Sequence, residues 1–307
     1  MGSLRVQVLR ASVPATDESY QGKRPRRKHT SGMHLRVVAV ATNIPGPLAA
    51  ARLAKLGAEL VKVEPPHGDP LEVAAPAWYA ELTAGMRVER LDLRCSESRM
   101  LAHLANADLL ITTLRPKALD AAHLDWPRLH AAFPRLCHVA VVGEAGEHAD
   151  RAGHDLTYQA RAGLLSPPAM PRAVAADMFA AERVFSAALE ALLERDRTGE
   201  GTRHEIAIAE SAAVLADAAR HGLTTPSGPL GGALPYYGLY RASDGWIALA
   251  ALEPHFQQRL REALGVDAND RDALAARFAE HSCVYWEETA EQYDLPIAAL
   301  PHGASAR

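Results

Sequence analysis

The chain has 307 residues, of which 48% are apolar and 23% charged, a composition typical of a globular protein long enough for more than one hydrophobic core. Its formal net charge of −4 excludes a global basic field that would attract nucleic acid or an anionic membrane. The sequence has no apolar run of membrane-spanning length, and its three cysteines have no metal-ligand spacing. We therefore expect no membrane partner, no metal site and a reducing, cytoplasmic location.

Residues 1–32 form the first segment and show neither helical nor strand periodicity. A polar stretch at 15–22 precedes a basic cluster at 23–29. Such a cluster can be a nucleic-acid arm, but a single short run on an acidic chain is more often a solvated tail. We expect residues 1–32 to be a disordered basic tail.

A β-turn-α-β unit follows. Residues 35–41 form a continuous apolar run, as expected for a strand that is covered on both faces. Residues 48–58 have apolar positions at helical spacing and end at Gly57, and residues 59–65 read as the next strand. The spacing fits a parallel crossover.

The same alternation continues along the chain. Further strands are predicted at 89–93, 107–114 and 136–143, with helices at 98–105, 124–133 and 177–195. Alternation of this kind indicates an α/β fold with an open, mostly parallel, Rossmann-like sheet. We assign residues 33–224 to this large domain.

The pattern changes after residue 220. Glycine and proline punctuate residues 222–235, and residues 236–252 resemble a hairpin with a Ser-Asp-Gly turn. Two helical segments follow, at 255–264 and 271–281. We expect a smaller α+β domain over residues 225–307.

Six segments, in order, resemble the class III CoA-transferase family, which also contains the 2-methylacyl-CoA racemases. They lie at residues 44–70, 89–93, 107–143, 152–166, 174–211 and 234–260. The resemblance implies a Rossmann-like large domain, a smaller domain and an interlocked dimer. It implies an acyl-CoA thioester as substrate, with coenzyme A as part of that substrate, no tightly bound cofactor and, for a transferase, a carboxylic acid acceptor. NAD is not expected, because the turn after the first strand lacks G-x-G-x-x-G.

The pair His154-Asp155 is the first candidate site. In the family's transferases the aspartate at the position of Asp155 is the nucleophile that forms covalent acyl intermediates. In its racemases the histidine at the position of His154 is one of two bases, a task that suits a side chain titrating near neutral pH. The plainer alternative is a loop hydrogen bond, with Asp155 as the N-cap of a helix.

Two further acids match the racemase pattern. Asp177 corresponds to the carboxylate on the opposite face of the substrate from His154, and the alternative is again a helix N-cap. Glu253 matches an acid of the small domain that faces the active site, and in an interlocked dimer it can belong to the partner's site. The plainer interpretation of Glu253 is an acid that favours the N-terminus of a helix beginning at Pro254.

Three basic residues are candidates for binding the CoA phosphates. Arg115 and Lys117 follow a strand, where α/β proteins bind ligands. Lys62, on an earlier strand, is the weaker candidate. Alternatively, each of the three can be an ordinary solvated surface charge that binds no ligand.

One segment departs from the family pattern. Residues 143–155 contain Glu147, His148 and Asp150 where relatives have a glycine-rich stretch. Three functions therefore stay open: α-proton transfer through His154 and Asp177, CoA transfer through Asp155, and a non-catalytic CoA-binding subunit that forms a heteromer with a full-length relative.

Overall fold

A computed structural model describes residues 35–301 of the chain. The predicted tail of residues 1–32 lies outside the described residues. Across residues 35–301, no helix combines the length and the apolar character needed to cross a bilayer.

The large sheet has six parallel strands in the order β3-β2-β1-β4-β5-β6. They are β1 (Arg36–Val40), β2 (Glu59–Glu64), β3 (Arg87–Arg90), β4 (Leu109–Thr112), β5 (Cys137–Val142) and β6 (Arg203–Ala207). The order reverses direction between β1 and β4, the point at which open α/β sheets place ligands beyond the strands' carboxyl ends. The predicted α/β class with an open parallel sheet is confirmed.

The central strands are buried on both faces, which explains their continuous apolar runs. Val37 of β1 pairs with Leu109 of β4, which in turn pairs with Cys137 of β5. All three side chains are at most 1% exposed. A parallel sheet covered by helices on both sides produces this pattern.

Ten helices accompany this sheet within the described residues. They are α1 (Pro45–Lys55), α2 (Pro70–Ala74), α3 (Pro76–Thr83), α4 (Glu97–Leu104), α5 (Pro116–Ala121), α6 (Trp126–Ala132), α7 (Asp155–Ala162), α8 (Ala175–Thr198), α9 (Ile208–Leu215) and α10 (Asp217–Arg220). The long helix α8 packs its small residues Ala187, Ala188 and Ala191 into the core formed with α1 and the sheet. This packing fixes the first turn of α8 near the carboxyl ends of the strands.

The C-terminal part forms an antiparallel sheet with its own core. The strands β7 (Tyr237–Arg241), β8 (Trp246–Ala250) and β9 (Ile297–Ala299) carry the helices α11 (Pro254–Leu264), α12 (Arg271–Ala279) and α13 (Cys283–Tyr293). Trp286 donates from its indole nitrogen to the carbonyl oxygen of Phe278 at 2.9 Å. The structure has the predicted hairpin, whereas β9 and α13 were not predicted. The domain boundary at 225 stays a prediction.

Candidate functional site

A cleft opens at the carboxyl ends of β1, β4 and β5. We call it the central cleft, and its volume is about 210 Å³. Its lining includes Asn43, Arg115, Arg151, His154, Tyr158 and Asp177. The structure thus brings together three of the predicted site residues, Arg115, His154 and Asp177, which are far apart in the sequence.

His154 is the N-cap residue of α7, a position that the sequence analysis gave to Asp155 in its alternative reading. The backbone N–H of His154 donates to the Thr157 hydroxyl at 3.1 Å, and that hydroxyl donates back to the His154 carbonyl oxygen at 2.7 Å. These bonds fix the first turn of α7. The imidazole itself remains exposed and faces the cleft.

Asp155 does not line the central cleft and is only 7% exposed. Its Oδ1 accepts a hydrogen bond from the backbone N–H of Asp177 at 3.0 Å, and its Oδ2 accepts one from the Gln159 side-chain amide at 2.5 Å. Asp155 therefore caps α8 rather than its own helix. It joins the start of α7 to the start of α8, and so fixes His154 relative to Asp177.

Asp177 is the third residue of α8 and is partly buried. Burial, and then the charge of the neighbouring Asp155, raise its pKa from the usual 3.8 to about 7. The helix N-terminus favours the charged carboxylate, but burial and like charge outweigh it here. A carboxyl group of this kind exists in both protonation states near neutral pH.

A second space, the side cavity, adjoins the central cleft and has a volume of about 340 Å³. His154, Asp177 and Asn43 line both spaces. Asp155 lines the side cavity, whose remaining wall is mostly apolar: Ile44, Leu71, Leu156, Met170 and Val174. The two predicted bases therefore lie where a polar cleft meets an apolar cavity.

A third space, the outer cleft, lies beyond the carboxyl ends of β1, β2 and β4 and has a volume of about 580 Å³. Thr42 and Thr113 line both the outer and the central cleft, so the two are neighbours. Pro65, Leu93 and Leu114 give the outer cleft a largely apolar wall. A largely apolar cleft of this size can hold a small-molecule ligand.

Arg115 and Lys117 are both exposed at the start of α5. Arg115 lines the central cleft, and among the described residues it forms no ion pair. The backbone N–H of Lys117 donates to Asp150 Oδ1 at 3.2 Å, which ties α5 to the segment before His154. Arg115 therefore presents its charge to the central cleft, whereas Lys117 lines neither the central nor the outer cleft, and its role in binding phosphate stays a prediction.

Lys62 requires a correction. Its side chain has no exposed surface and lies between two buried carboxylates, Glu64 and Asp69, with its Nζ at 2.8 Å from Asp69 Oδ2. The Tyr79 hydroxyl donates to Glu64 at 2.8 Å. An ammonium group enclosed in this way cannot reach a phosphate, so we withdraw Lys62 from the predicted phosphate-binding residues.

The same buried network supports the central cleft. Asp69 Oδ1 accepts a hydrogen bond from the backbone N–H of Asn43 at 2.9 Å. Asn43, with a φ of 64°, occupies the left-handed region in the turn between β1 and α1. Lys62 and Asp69 therefore hold the turn that lines the cleft opposite His154.

Glu253 lies apart from the central cleft, the side cavity and the outer cleft in the described chain. It is exposed and is the N-cap residue of α11, although its side chain makes no capping hydrogen bond. This fits the alternative reading of an acid before a helix begun by Pro254. A role in a partner's site stays a prediction.

The sequence analysis missed Tyr158, Asn43 and Arg151, which also line the central cleft. Tyr158 follows His154 by four residues, so it lies on the same face of α7. The signal that could have found it is this i, i+4 spacing from a candidate catalytic histidine.

The divergent segment at 143–153 forms the remaining wall. It contains a 3-10 turn at Gly146–His148, and Glu144 forms ion pairs with Arg161 at 2.5 Å and Arg151 at 3.7 Å. No group of three or more His, Cys, Asp or Glu side chains within residues 35–301 could hold a metal ion.

Comparison with known proteins gives consistent matches. The sequence matches the profile of CoA-transferase family III over residues 33–302. It is 30% identical to the succinyl-CoA–D-citramalate CoA-transferase of Chloroflexus aurantiacus, over 86% of this chain and 71% of that enzyme. It is also 30% identical to the human alpha-methylacyl-CoA racemase, over 76% of this chain and 65% of the racemase. The chain thus spans about two thirds of the length of these curated relatives.

Solved structures with similar folds exist. A CAIB/BAIF family protein from Brucella suis superimposes with a TM-score of 0.73, at 25% identity over 88% of this chain and 84% of that protein. A hypothetical protein from Mycobacterium tuberculosis superimposes with a TM-score of 0.75, at 23% identity over 87% of this chain and 83% of that protein.

Proposed function

Because the chain belongs to CoA-transferase family III, we propose that it is an acyl-CoA enzyme that moves the proton on the carbon next to the thioester carbonyl. His154 and Asp177 are the two acid–base groups, one for each face of that carbon. A 2-methylacyl-CoA, or a thioester of similar shape, is the substrate.

The hydrogen bonding of the two aspartates is the observation that carries this proposal. His154 and Asp177 both line the central cleft and the side cavity, whereas both oxygens of Asp155 accept hydrogen bonds from the protein. A carboxylate held in this way is better suited to positioning its neighbours than to attacking a thioester.

The chemistry follows from two groups of similar proton affinity. One group takes the α-proton, which leaves the substrate as an enolate, and the other returns a proton to the opposite face. A pKa of about 7 for Asp177 suits a group that must both accept and donate near neutral pH.

Coenzyme A fits the adjoining spaces. Its nucleotide end would occupy the apolar outer cleft, with Arg115 and Lys117 near the phosphates. The thioester would then reach the central cleft past Thr42 and Thr113, which line both clefts. The acyl group would extend into the apolar side cavity.

CoA transfer to a carboxylic acid acceptor is the second candidate. It is favoured by relatives that are named CoA-transferases and by the position of Asp155 on the wall of the side cavity. Attack by Asp155 would first require release of the hydrogen bond from Gln159. The third reading, a non-catalytic subunit, has no support in the comparisons.

The test is to incubate the purified protein with (2R)-2-methylacyl-CoA in D2O, with and without a free acid, and to follow deuterium incorporation by mass spectrometry. We expect exchange without an acceptor. The double variant His154→Ala/Asp177→Asn should lose this exchange, and Asp155→Asn should largely retain it. An acceptor-dependent new thioester that is lost only in the Asp155 variant, with no exchange, would replace this proposal by CoA transfer.

A further inference from the structure

The hydroxyl of Tyr158 has no partner in the protein although the residue is almost completely buried. Tyr158 is 2% exposed, and its side chain lines the central cleft with His154 and Asp177. Among the described residues its hydroxyl makes no hydrogen bond. The hydroxyl oxygen is not among the buried side-chain atoms that lack a partner, so it is accessible from the cleft that Tyr158 lines. A ligand in that cleft can therefore supply the partner that the protein does not.

The backbone around this hydroxyl is shaped to hold it in one place. A Cβ atom built on Gly143 would lie 2.1 Å from the Tyr158 oxygen, and one built on Gly153 would lie 2.2 Å from it. Both positions therefore exclude any residue larger than glycine while the tyrosine stays where it is. These two segments enclose the phenol end of Tyr158 at the end of β5 and directly before His154.

Helix α7 fixes the direction of the side chain. The backbone N–H of Tyr158 donates to the His154 carbonyl oxygen at 3.2 Å, the i, i+4 bond of the first turn. Residues four apart lie on the same helix face. The hydroxyl thus lies in the same cleft as the imidazole that we assign to proton transfer.

We propose that the Tyr158 hydroxyl donates a hydrogen bond to the carbonyl oxygen of the bound thioester. When His154 or Asp177 takes the α-proton, the electrons of the broken C–H bond form a double bond between the α-carbon and the carbonyl carbon. The π electrons of the carbonyl move to its oxygen, which becomes an enolate oxygen. The tyrosine keeps its proton and stabilises that negative charge. This donor would serve where the segment at 143–153 lacks the glycine-rich backbone of related sequences.

The electrostatic surroundings keep the hydroxyl in its donor form. Burial, followed by the charges of Glu144 and Asp177, raises the pKa of Tyr158 above its usual value, and the opposing charges of Arg161 and Arg115 lower it less. The phenol is therefore protonated at neutral pH. A protonated donor that is held in place by the protein can stabilise an oxyanion without reorganising during the reaction.

The inference goes beyond proton transfer and needs only a CoA thioester bound in the cleft, so a binding experiment tests it directly. Calorimetry would compare 2-methylpropanoyl-CoA with S-(2-methylpropyl)-CoA, a thioether without the carbonyl oxygen. We expect the wild type to bind the thioester about 2- to 10-fold more tightly, as for one hydrogen bond, and Tyr158→Phe to bind both equally. A wild-type ratio near one, or an unchanged ratio in Tyr158→Phe, would overturn the inference.

Tyr240→Phe is the matched control, because its buried hydroxyl donates to the Pro235 carbonyl oxygen in the small sheet. It should leave the thioester preference unchanged. If the wild type exchanges the α-proton, Tyr158→Phe should lower kcat by about 10²- to 10³-fold with little change in KM or Tm, since no hydrogen bond within the protein is lost. If the wild type shows no exchange, proton transfer fails, and the binding ratio still decides the role of Tyr158.

Discussion

Asp155 and Asp177 are neighbouring carboxylates with opposite roles. Asp155 accepts two hydrogen bonds and is fixed in place, whereas Asp177 faces two cavities and has a pKa raised to about 7. The backbone N–H of Asp177 donates to Asp155, so the residue that raises the pKa of Asp177 also positions it. Burial and like charge act together here, as in other carboxyl groups used for acid–base chemistry.

The raised pKa of Asp177 predicts a pH-dependent stability. Between pH values of 3.8 and about 7 the folded state keeps this proton while the unfolded state has lost it, so the free energy of unfolding falls as the pH rises through this window. Asp177→Asn removes the effect. We expect the variant to gain stability relative to the wild type from pH 4 to 7, by up to about 4 kcal/mol, in urea unfolding measured at each pH.

Asp267→Asn is the control for this prediction. Asp267 is exposed and its pKa lies below the usual value of 3.8, so from about pH 5 upward it is charged in both the folded and the unfolded state. Its substitution should give a difference from the wild type that does not change between about pH 5 and 7. A flat difference for Asp177→Asn as well would contradict the raised pKa.

At this scale the sequence predicted the motif residues but not their contacts. His154 and Asp177 were recognisable because flanking residues match the family well beyond the pair. The buried environment of Lys62 could not be predicted from the sequence. Its two carboxylate partners are Glu64 on the same strand and Asp69 in a loop seven residues away. Tyr158 carried only a helical spacing, and its unpaired hydroxyl becomes visible only when α7 is packed against Gly143 and Gly153.

The turn between β1 and α1 is held in place by a buried pair of charged residues, Lys62 and Asp69. Lys62 on β2 bonds to Asp69, and Asp69 accepts hydrogen bonds from the backbone of Asn43 and of Leu71 at the start of α2. One carboxylate therefore caps α2 and holds the turn that lines the central cleft. A charged network of this kind is costly to disrupt once it is built into the core.

Removal of Lys62 tests this dependence. Lys62→Met leaves the carboxylates of Glu64 and Asp69 buried without a cation, so we expect a loss of about 3–5 kcal/mol in the free energy of urea unfolding. Arg94→Gln, which removes the exposed partner of Asp92, should leave the free energy of unfolding nearly unchanged, because exposed ion pairs contribute little. Equal effects of the two substitutions would show that the Lys62 network does not support the fold.

Element prediction succeeded where periodicity was strong and failed where length was short. The predicted helix at 177–195 corresponds to α8, and the apolar run at 35–41 to β1. The short helices α2 and α3 escaped notice because prolines and a small number of residues leave little periodicity. Strand β9 has only three residues, and its place in the sheet depends on pairing with β8 across the chain.

Within residues 35–301, the large parallel sheet and the small antiparallel sheet are packed in different hydrophobic clusters. The large sheet carries the central cleft, whereas Glu253 stands on the exposed N-cap of α11 in the C-terminal part, outside that cleft. The family resemblance implies an interlocked dimer, which would allow Glu253 of one subunit to complete the site of the other. The dimer and this role for Glu253 are both proposals.

Subunit complementation tests them together. Co-expression of His154→Ala and Glu253→Gln chains would form mixed dimers in which one site has both substitutions and the other has neither. We expect mixed dimers to recover about half of the wild-type rate of inversion at the α-carbon per dimer, while each single-variant homodimer inverts slowly. Light scattering should give twice the chain mass of 33.0 kDa. A monomer, or mixed dimers with no more activity than the homodimers, would rule out a shared site.

The most direct measurement for two-base proton transfer is stereochemically resolved exchange in the single variants. Each enantiomer of a 2-methylacyl-CoA would be incubated in D2O with His154→Ala or Asp177→Asn, and both deuterium content and configuration would be followed. Each variant should still exchange the enantiomer that faces its remaining base, without inversion, and the two variants should select opposite enantiomers. Exchange of both enantiomers by either variant, or unimpaired inversion in both, would contradict the assignment of His154 and Asp177.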